Sequence, residues 1–397
     1  MLAEEKKQQI ALLVKKVYEN PELSGEEFFA CAEQIGFLKR EGFEVVSPIA
    51  GEKTAYRAEY SVHAGGTEKL PAFAFCSEYD ALPKVRHGCG HHLIMGGAIT
   101  AALCLRKLLE EKNIPGKIVL FGCPAEETYG GKLKIADSGA ADDIDAFLMA
   151  HSGGGLLALG GLGYAGMKRV KVTFSGSGGS GVPRLADPSF VNPLDASTLL
   201  YQAVAMRRHF FPANVNIAGV IVNGGERSNI LPVASVSDYT IRSQDPLLID
   251  KYAEIFRKMA EGAAMLTGTE LELSEERTWP PTLPNLVLSE SFLDSMEKRG
   301  RKVKRILPIA GFLGTTDFGI FSRKAPGCHV HFPIMADPCA AHHTEEYNVC
   351  SGTPAALECM FDAGESMAET AFRFFSDETF RASVKKAFTQ EPVYQVQ

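Results

Sequence analysis

Along the first twenty residues, MLAEEKKQQIALLVKKVYEN, apolar side chains recur at Leu2, Ile10, Leu13, Val14 and Val17 among charges, a spacing that predicts a surface helix. Residues 43 to 150 then alternate strand-like runs with a helix-like one: FEVVSPIA, PAFAFCSEYD, IMGGAITAALCLRKLLEEK, KIVLFGCPAEE and IDAFLMAH. Runs such as Ile118 to Phe121 are apolar on both faces, as in a sheet covered by helices on each side. After about residue 166 the rhythm changes. MKRVKVTFSG alternates, the turn GSGGSG follows, and a helix-like stretch runs from Pro193 to His209. Two strands, NVNIAGVIVNGG and ASVSDYTIRS, a helix LLIDKYAEIFRKMAEGAAMLTG and a strand TELELSEE complete a β-α-β-β-α-β order, which suits one sheet packed on two helices. The proline-rich TWPPTLPN, residues 278 to 285, reads as a return linker, after which helix, strand and helix patterns resume.

Length supports this division, because 397 residues exceed what one core usually serves. Hydrophobic residues at 45% and charged residues at 22% give an ordinary globular balance. A net charge of −7 and a pI near 5.9 leave no basic field for nucleic acid or an anionic bilayer. The N-terminal run is too short and too charged for a signal peptide, and no window approaches the roughly 18 to 20 apolar residues of a membrane span. Nine cysteines, an odd number spread over a long chain, read as reduced thiols, so a cytoplasmic location is expected.

Polar clusters follow the apolar runs, as catalytic groups do at the carboxyl ends of strands in such sheets. In HGCGHH, residues 87 to 92, Cys89 and His91 are divalent-ion ligands separated by a glycine that lets both converge, although a turn with a structural cysteine explains the triplet alone equally well. PAEE, residues 124 to 127, sets two carboxylates side by side: one can hold a metal ion while the other takes a proton from the attacking water. Taken singly, this pair could be a solvated acidic loop, His151 in MAHS a core histidine, and His342 and His343 in AAHHTEEYN a surface pair. Together they supply a thiolate, two carboxylates and at least three imidazoles, which points to a binuclear site.

With SEYDALP, HGCGHH, GCPAEE, MAHS, NGGERSNILP, GTTDFG and AHHTEEYN in that order, the chain resembles the aminoacylase and carboxypeptidase-like binuclear metallopeptidases. The match is to their amidohydrolase branch, which acts on hippurate, indole-acetyl-amino acids and aminobenzoyl-glutamate. The resemblance implies an α/β fold: a mixed sheet flanked by helices, a zinc-peptidase-like catalytic domain over residues 1–166 and 286–397, with an inserted smaller α+β lid and dimerisation domain over 167–285. It implies two divalent ions, zinc first with manganese or cobalt as alternatives, held by Cys89, His91, Glu127, His151 and His343. Glu127 or Cys89 would bridge them, and His342 is the reserve for the last ligand. Glu126 becomes the general base, and Asp80 orients a ligand from behind. Asn229 and Arg242 match positions that hold a substrate carboxylate, a task suited to a planar guanidinium. The partners implied are a small-molecule substrate with a free carboxylate and a second copy of the chain, joined through the lid domain.

One departure stands out. Relatives of this kind usually carry an oxyanion-stabilising histidine in the Gly-rich segment after the first strand of the small domain; here FSGSGGSGVP places Ser180 there. Loss of such a donor can cost on the order of 10²- to 10³-fold in rate. The expected activity is hydrolysis of the amide bond of an N-acyl amino acid, an aminobenzoyl-glutamate-like compound or a short peptide. The alternative is a degenerate member that binds a carboxylate ligand without turnover.

Overall fold

The computed structural model describes residues 2–63, 70–180, 190–306 and 314–389; the last glycine of GSGGSG and the final eight residues lie outside them. In chain order the first elements are α1 (Glu4–Glu19), α2 (Phe28–Arg40), β1 (Glu44–Val46), β2 (Tyr56–Val62), β3 (Ala72–Glu78), α3 (His91–Lys112), β4 (Gly116–Cys123), α4 (Gly131–Asp137), β5 (Ala146–Gly153) and β6 (Leu157–Gly160). There follow β7 (Gly166–Ser175), β8 (Gly179–Ser180), α5 (Pro193–Arg207), β9 (Val215–Asn223), β10 (Ile230–Leu231), β11 (Ala234–Ser243), α6 (Pro246–Thr267) and β12 (Glu270–Glu275). The chain returns through α7 (Leu286–Lys298), β13 (Lys302–Arg305), α8 (Gly319–Lys324), β14 (Gly327–Pro333), α9 (Glu345–Ser351), α10 (Pro354–Ser376) and α11 (Glu378–Thr389). Two compact units result: among the described residues one takes the chain to Gly163, from Leu283 to residue 306 and from Asp317 onward, and the other takes Tyr164–Thr282 with residues 314–316.

The first unit is built on a mixed eight-stranded sheet, ordered β1-β2-β4-β3-β5-β14-β6-β13. At its centre β4, β3, β5 and β14 run parallel, and every residue of β3 and β14 is buried. Alternation along these strands feeds two cores. Phe73, Phe75, Ile118, Leu120 and Leu148 face one way, onto α1, α3 and α10, while Ala74, Cys76, Val119, Phe121, Phe147 and Met149 face the other, with Ile135 of α4 and Phe321 of α8. Each large apolar side chain so buried contributes roughly 1.5 to 3 kcal/mol. The predicted N-terminal stripe is the buried face of α1, at Ile10, Leu13, Val14 and Val17.

One expectation is corrected: α3 is long and apolar enough to cross a membrane, and 83% of its apolar window is buried inside the fold. Its even apolarity reflects burial on almost all sides, not an encounter with lipid.

The second unit carries an antiparallel sheet, β12-β7-β11-β9, with α5 and α6 on one face over Val172, Phe174, Ile217 and Ile241. Both helices start on a side-chain cap followed by proline, Asn192-Pro193 and Asp245-Pro246. A separate ribbon pairs β10 with β8.

Candidate metal centre

Parallel strands bring the predicted clusters of the first unit to one edge of its sheet. β3 ends at Glu78, two residues before Asp80; β4 ends at Cys123 and turns into Glu126 and Glu127; β5 carries His151 near its carboxyl end. Cys89 lies in the turn before α3, and His91 opens that helix. Gly90 between them has a φ of 76°, and a Cβ there would collide with the Ser152 hydroxyl, so this turn requires glycine twice over. Ala125 and His343 also have positive φ, 57° and 64°. Buried Glu27 secures the first, its Oε1 accepting the Ala125 N–H at 2.8 Å.

Cys89 Sγ lies 3.6 Å from His151 Nε2. Glu127 Oε1 lies 3.8 Å from His91 Nε2 and 3.3 Å from His343 Nε2. Ligand atoms of Cys89, His91 and His151 lie within 4.8 Å of one another, as do those of Cys89, Glu127 and His343, and those of His91, Glu126 and Glu127. Two ligands of one ion, each about 2.0–2.3 Å from it at tetrahedral angles, sit roughly 3.3 to 3.7 Å apart. His91 Nε2 and Glu127 Oε1 are buried and make no hydrogen bond, which costs about 1 to 3 kcal/mol per group unless a cation meets them. The residues present therefore fit divalent ions, and a donor set of thiolate, imidazole and carboxylate accepts zinc as well as manganese or cobalt.

Asp80 anchors this arrangement. Its Oδ1 lies 2.7 Å from His91 Nδ1, and its Oδ2 accepts from the Glu127 N–H at 3.0 Å and the Ser24 hydroxyl at 2.7 Å. With Nδ1–H given to Asp80, His91 turns its Nε2 lone pair to the ligand cluster. His343 belongs to that cluster, whereas His342 Nε2 is 3.0 Å from the Ser152 carbonyl and its ring stacks on Tyr347 at 4.4 Å. Burial, then the neighbouring carboxylates Glu78, Glu127 and Asp317, push Glu126 well above the usual carboxylate range.

Three predicted residues lie in the second unit. Ser180 ends β8, exposed and paired in register with Ile230, next to exposed Asn229. Arg242 sits on β11 opposite Met167 and Asn216, half-buried, and burial together with nearby Arg169 lowers its pKa. Among the described residues it has no carboxylate partner.

Several site residues escape the sequence reading. Glu78 Oε1 and Asp317 Oδ1 each lie 2.5 Å from Lys132 Nζ, with no part of these three side chains exposed. His329 and His331 of β14 pack against His151, at ring separations of 5.5 and 5.3 Å. The strand pattern GCHVHFP is their only signal, two histidines on one face of a buried run.

A family model described as peptidase family M20/M25/M40 matches residues 68–369, well over half of the chain. The chain belongs to this family. It is an enzyme, a metal-dependent hydrolase, and the family expected from the ordered motifs is the one found. Mouse Xaa-Arg dipeptidase is 32% identical over 97% of this chain and 90% of its own length, and the human protein of that name is 30% identical over 93% and 86%. One of the subunits of p-aminobenzoyl-glutamate hydrolase from Escherichia coli is 25% identical over 72% of this chain and 62% of its own. Among solved structures, a dinuclear metal binding peptidase of the M20 family from Bacillus subtilis superposes with a TM-score of 0.68 at 19% identity, covering 94% of this chain and 99% of that one. An aminobenzoyl-glutamate utilization protein from Klebsiella pneumoniae gives 0.69 at 16% identity, with the same coverage. Both share the M20 fold.

Proposed function

We propose that this M20 member is a two-metal amidohydrolase cleaving the amide bond of an N-acyl amino acid, an aminobenzoyl-glutamate-like compound or a short peptide that ends in a free carboxylate. The observation that carries the reading is Glu126: a carboxyl that makes no hydrogen bond among the described residues, beside the His91–Glu127 pair. Cys89, His91, Glu127, His151 and His343 would hold the ions, with Asp80 fixing His91. When bound, such ions polarise the scissile carbonyl and acidify water. Glu126 takes the proton of the attacking water and passes it to the leaving amine. Arg242, with Asn229, grips the substrate carboxylate; its lack of an acidic partner among the described residues supports that role. The relatives named for dipeptides and aminobenzoyl-glutamate support the substrate class.

The unit Tyr164–Thr282 is read as the lid and dimerisation domain. Its edge strand β9 exposes Val220 and Val222, and α5 exposes Leu199, Tyr201 and Met206, apolar surface that a second copy would cover. Nine unpaired cysteines, seven of them buried, support a reducing, cytoplasmic setting.

Metal analysis beside a hydrolysis screen of N-acyl amino acids and dipeptides tests this function. Wild type should carry close to two ions and turn over, and Glu126→Gln should keep the metal while losing at least about 100-fold in kcat. A fully active Glu126→Gln removes the general base from the mechanism. Ser180 favours the second reading, binding without turnover; tight binding of a substrate by metal-replete wild type with no hydrolysis would establish it.

A further inference from the structure

Glu78 closes β3, fully buried, with its two oxygens in different circumstances. Oε1 is committed to the Lys132 ammonium at 2.5 Å. That ammonium also holds Asp317 Oδ1 at 2.5 Å, while Asp317 Oδ2 accepts the Lys132 backbone N–H at 3.1 Å. Oε2 makes no hydrogen bond and faces His91 Nε2 across 3.6 Å, an atom that makes none either. With Nδ1 of His91 turned to Asp80, a carboxylate oxygen and the second imidazole nitrogen confront each other in a buried site. Such a pair is stable with a cation between its members, either the proton of an imidazolium or a metal ion, and the ligand atoms gathered around His91 are spaced for the metal. Lys132 is not that cation, because it is held on the other oxygen. The separation matches those elsewhere in the centre: 3.6 Å between Cys89 and His151, and 3.3 and 3.8 Å for the two pairs on Glu127.

We infer that Glu78 is a metal ligand, its Oε2 binding the ion that His91 holds, and that Lys132 is the positioning residue that turns this oxygen toward it. The inference rests on the metallohydrolase reading above. Ligand atoms of Glu78, Glu126 and Asp317 also lie within 4.8 Å of one another, but the ammonium already fills that triad and no separate ion belongs there. Glu78 adds a hard oxygen beside Glu127, so the His91 ion sees an oxygen-rich environment while the Cys89–His151 pair offers sulfur and nitrogen. Oxygen donors favour manganese relative to zinc.

The test is metal titration of the full-length protein, stripped of metal and then titrated with Mn²⁺ or Zn²⁺ against a competing chelator, with the Mn²⁺ electron paramagnetic resonance spectrum as a second readout. Glu78→Gln should weaken one of the two sites by about 10- to 100-fold, more for Mn²⁺ than for Zn²⁺, and change the Mn²⁺ spectrum, leaving the other site as in wild type. Glu78→Asp keeps a buried charge to compensate Lys132 but withdraws both oxygens by one methylene, so it should lose an intermediate amount. Variants that bind both ions with wild-type affinity and an unchanged spectrum, beside a wild type that binds two, overturn the assignment alone. A wild type that binds no divalent ion overturns the metallohydrolase reading and this assignment with it.

Discussion

Lys132 holds Glu78 and Asp317 at 2.5 Å with none of the three side chains exposed, whereas Arg305 holds Glu290 at 2.7 Å and Asp294 at 2.6 Å with 39% of its own side chain and 52% of theirs open to solvent. Each cluster is a cation gathering carboxylates, and burial separates their consequences. At the surface, water and salt screen the attraction and the long side chains lose freedom to form it, so little is gained. Inside, the three charges are stable only together, and removing one leaves the others without compensation. The inner cluster therefore fixes atoms in place beside the candidate metal centre; the outer one decorates helix α7 and strand β13.

Lys132→Met should give the largest effect, because similar volume is retained while two buried carboxylates lose their partner. A loss on the order of 3 to 5 kcal/mol in urea unfolding is expected, and a loss under about 1 kcal/mol would break the contrast. An intermediate case sharpens it. Arg57 grips Asp143 with two bonds of 2.8 Å, and hydrogen bonding from Arg57 holds the Asp143 pKa down at about 2. A depressed carboxylate stabilises the fold above its unfolded pKa, about 4, and that contribution disappears as pH falls through the folded value. The stability gap between wild type and Asp143→Asn should thus be widest at pH 6 and shrink steadily below pH 4; a gap independent of pH would refute the ion pair. Arg305→Ala should do least, under about 1 kcal/mol at low ionic strength and less in high salt.

The inner cluster also marks the limit of what the sequence makes legible. Apolar runs reveal β3, β4 and β5 because strands buried on both faces are continuous in hydrophobicity, and the polar groups ending them are visible for the same reason. β2 is invisible as an apolar run, because Arg57, Glu59 and Ser61 interleave with Tyr56, Ala58, Tyr60 and Val62, and its signal is that alternation. In GKLKIAD, Lys132 and Lys134 look alike, yet one is wholly buried and the other pairs with Glu52 with half of its side chain exposed. Nothing local distinguishes them; Asp317, 185 residues further on, does. Glu78 lies in the same SEYD cluster as Asp80, but the family motif points to Asp80 alone. His343 and His342 are separated by backbone: a left-handed residue turns one ring toward Glu127 and leaves the other on the Ser152 carbonyl.

The place of β14 in the sheet has a consequence for synthesis. It lies between β5 and β6, although both precede it in the chain by more than 160 residues. During translation β5 emerges with one edge unpaired and waits while the whole second unit is made. Only when residues 327–333 leave the ribosome can the sheet close, and His343 follows ten residues later. If the proposed ligand set is right, ions can be retained by all of it only near the end of chain growth, and a nascent chain halted at the linker would have Cys89, His91, Glu127 and His151 without His343.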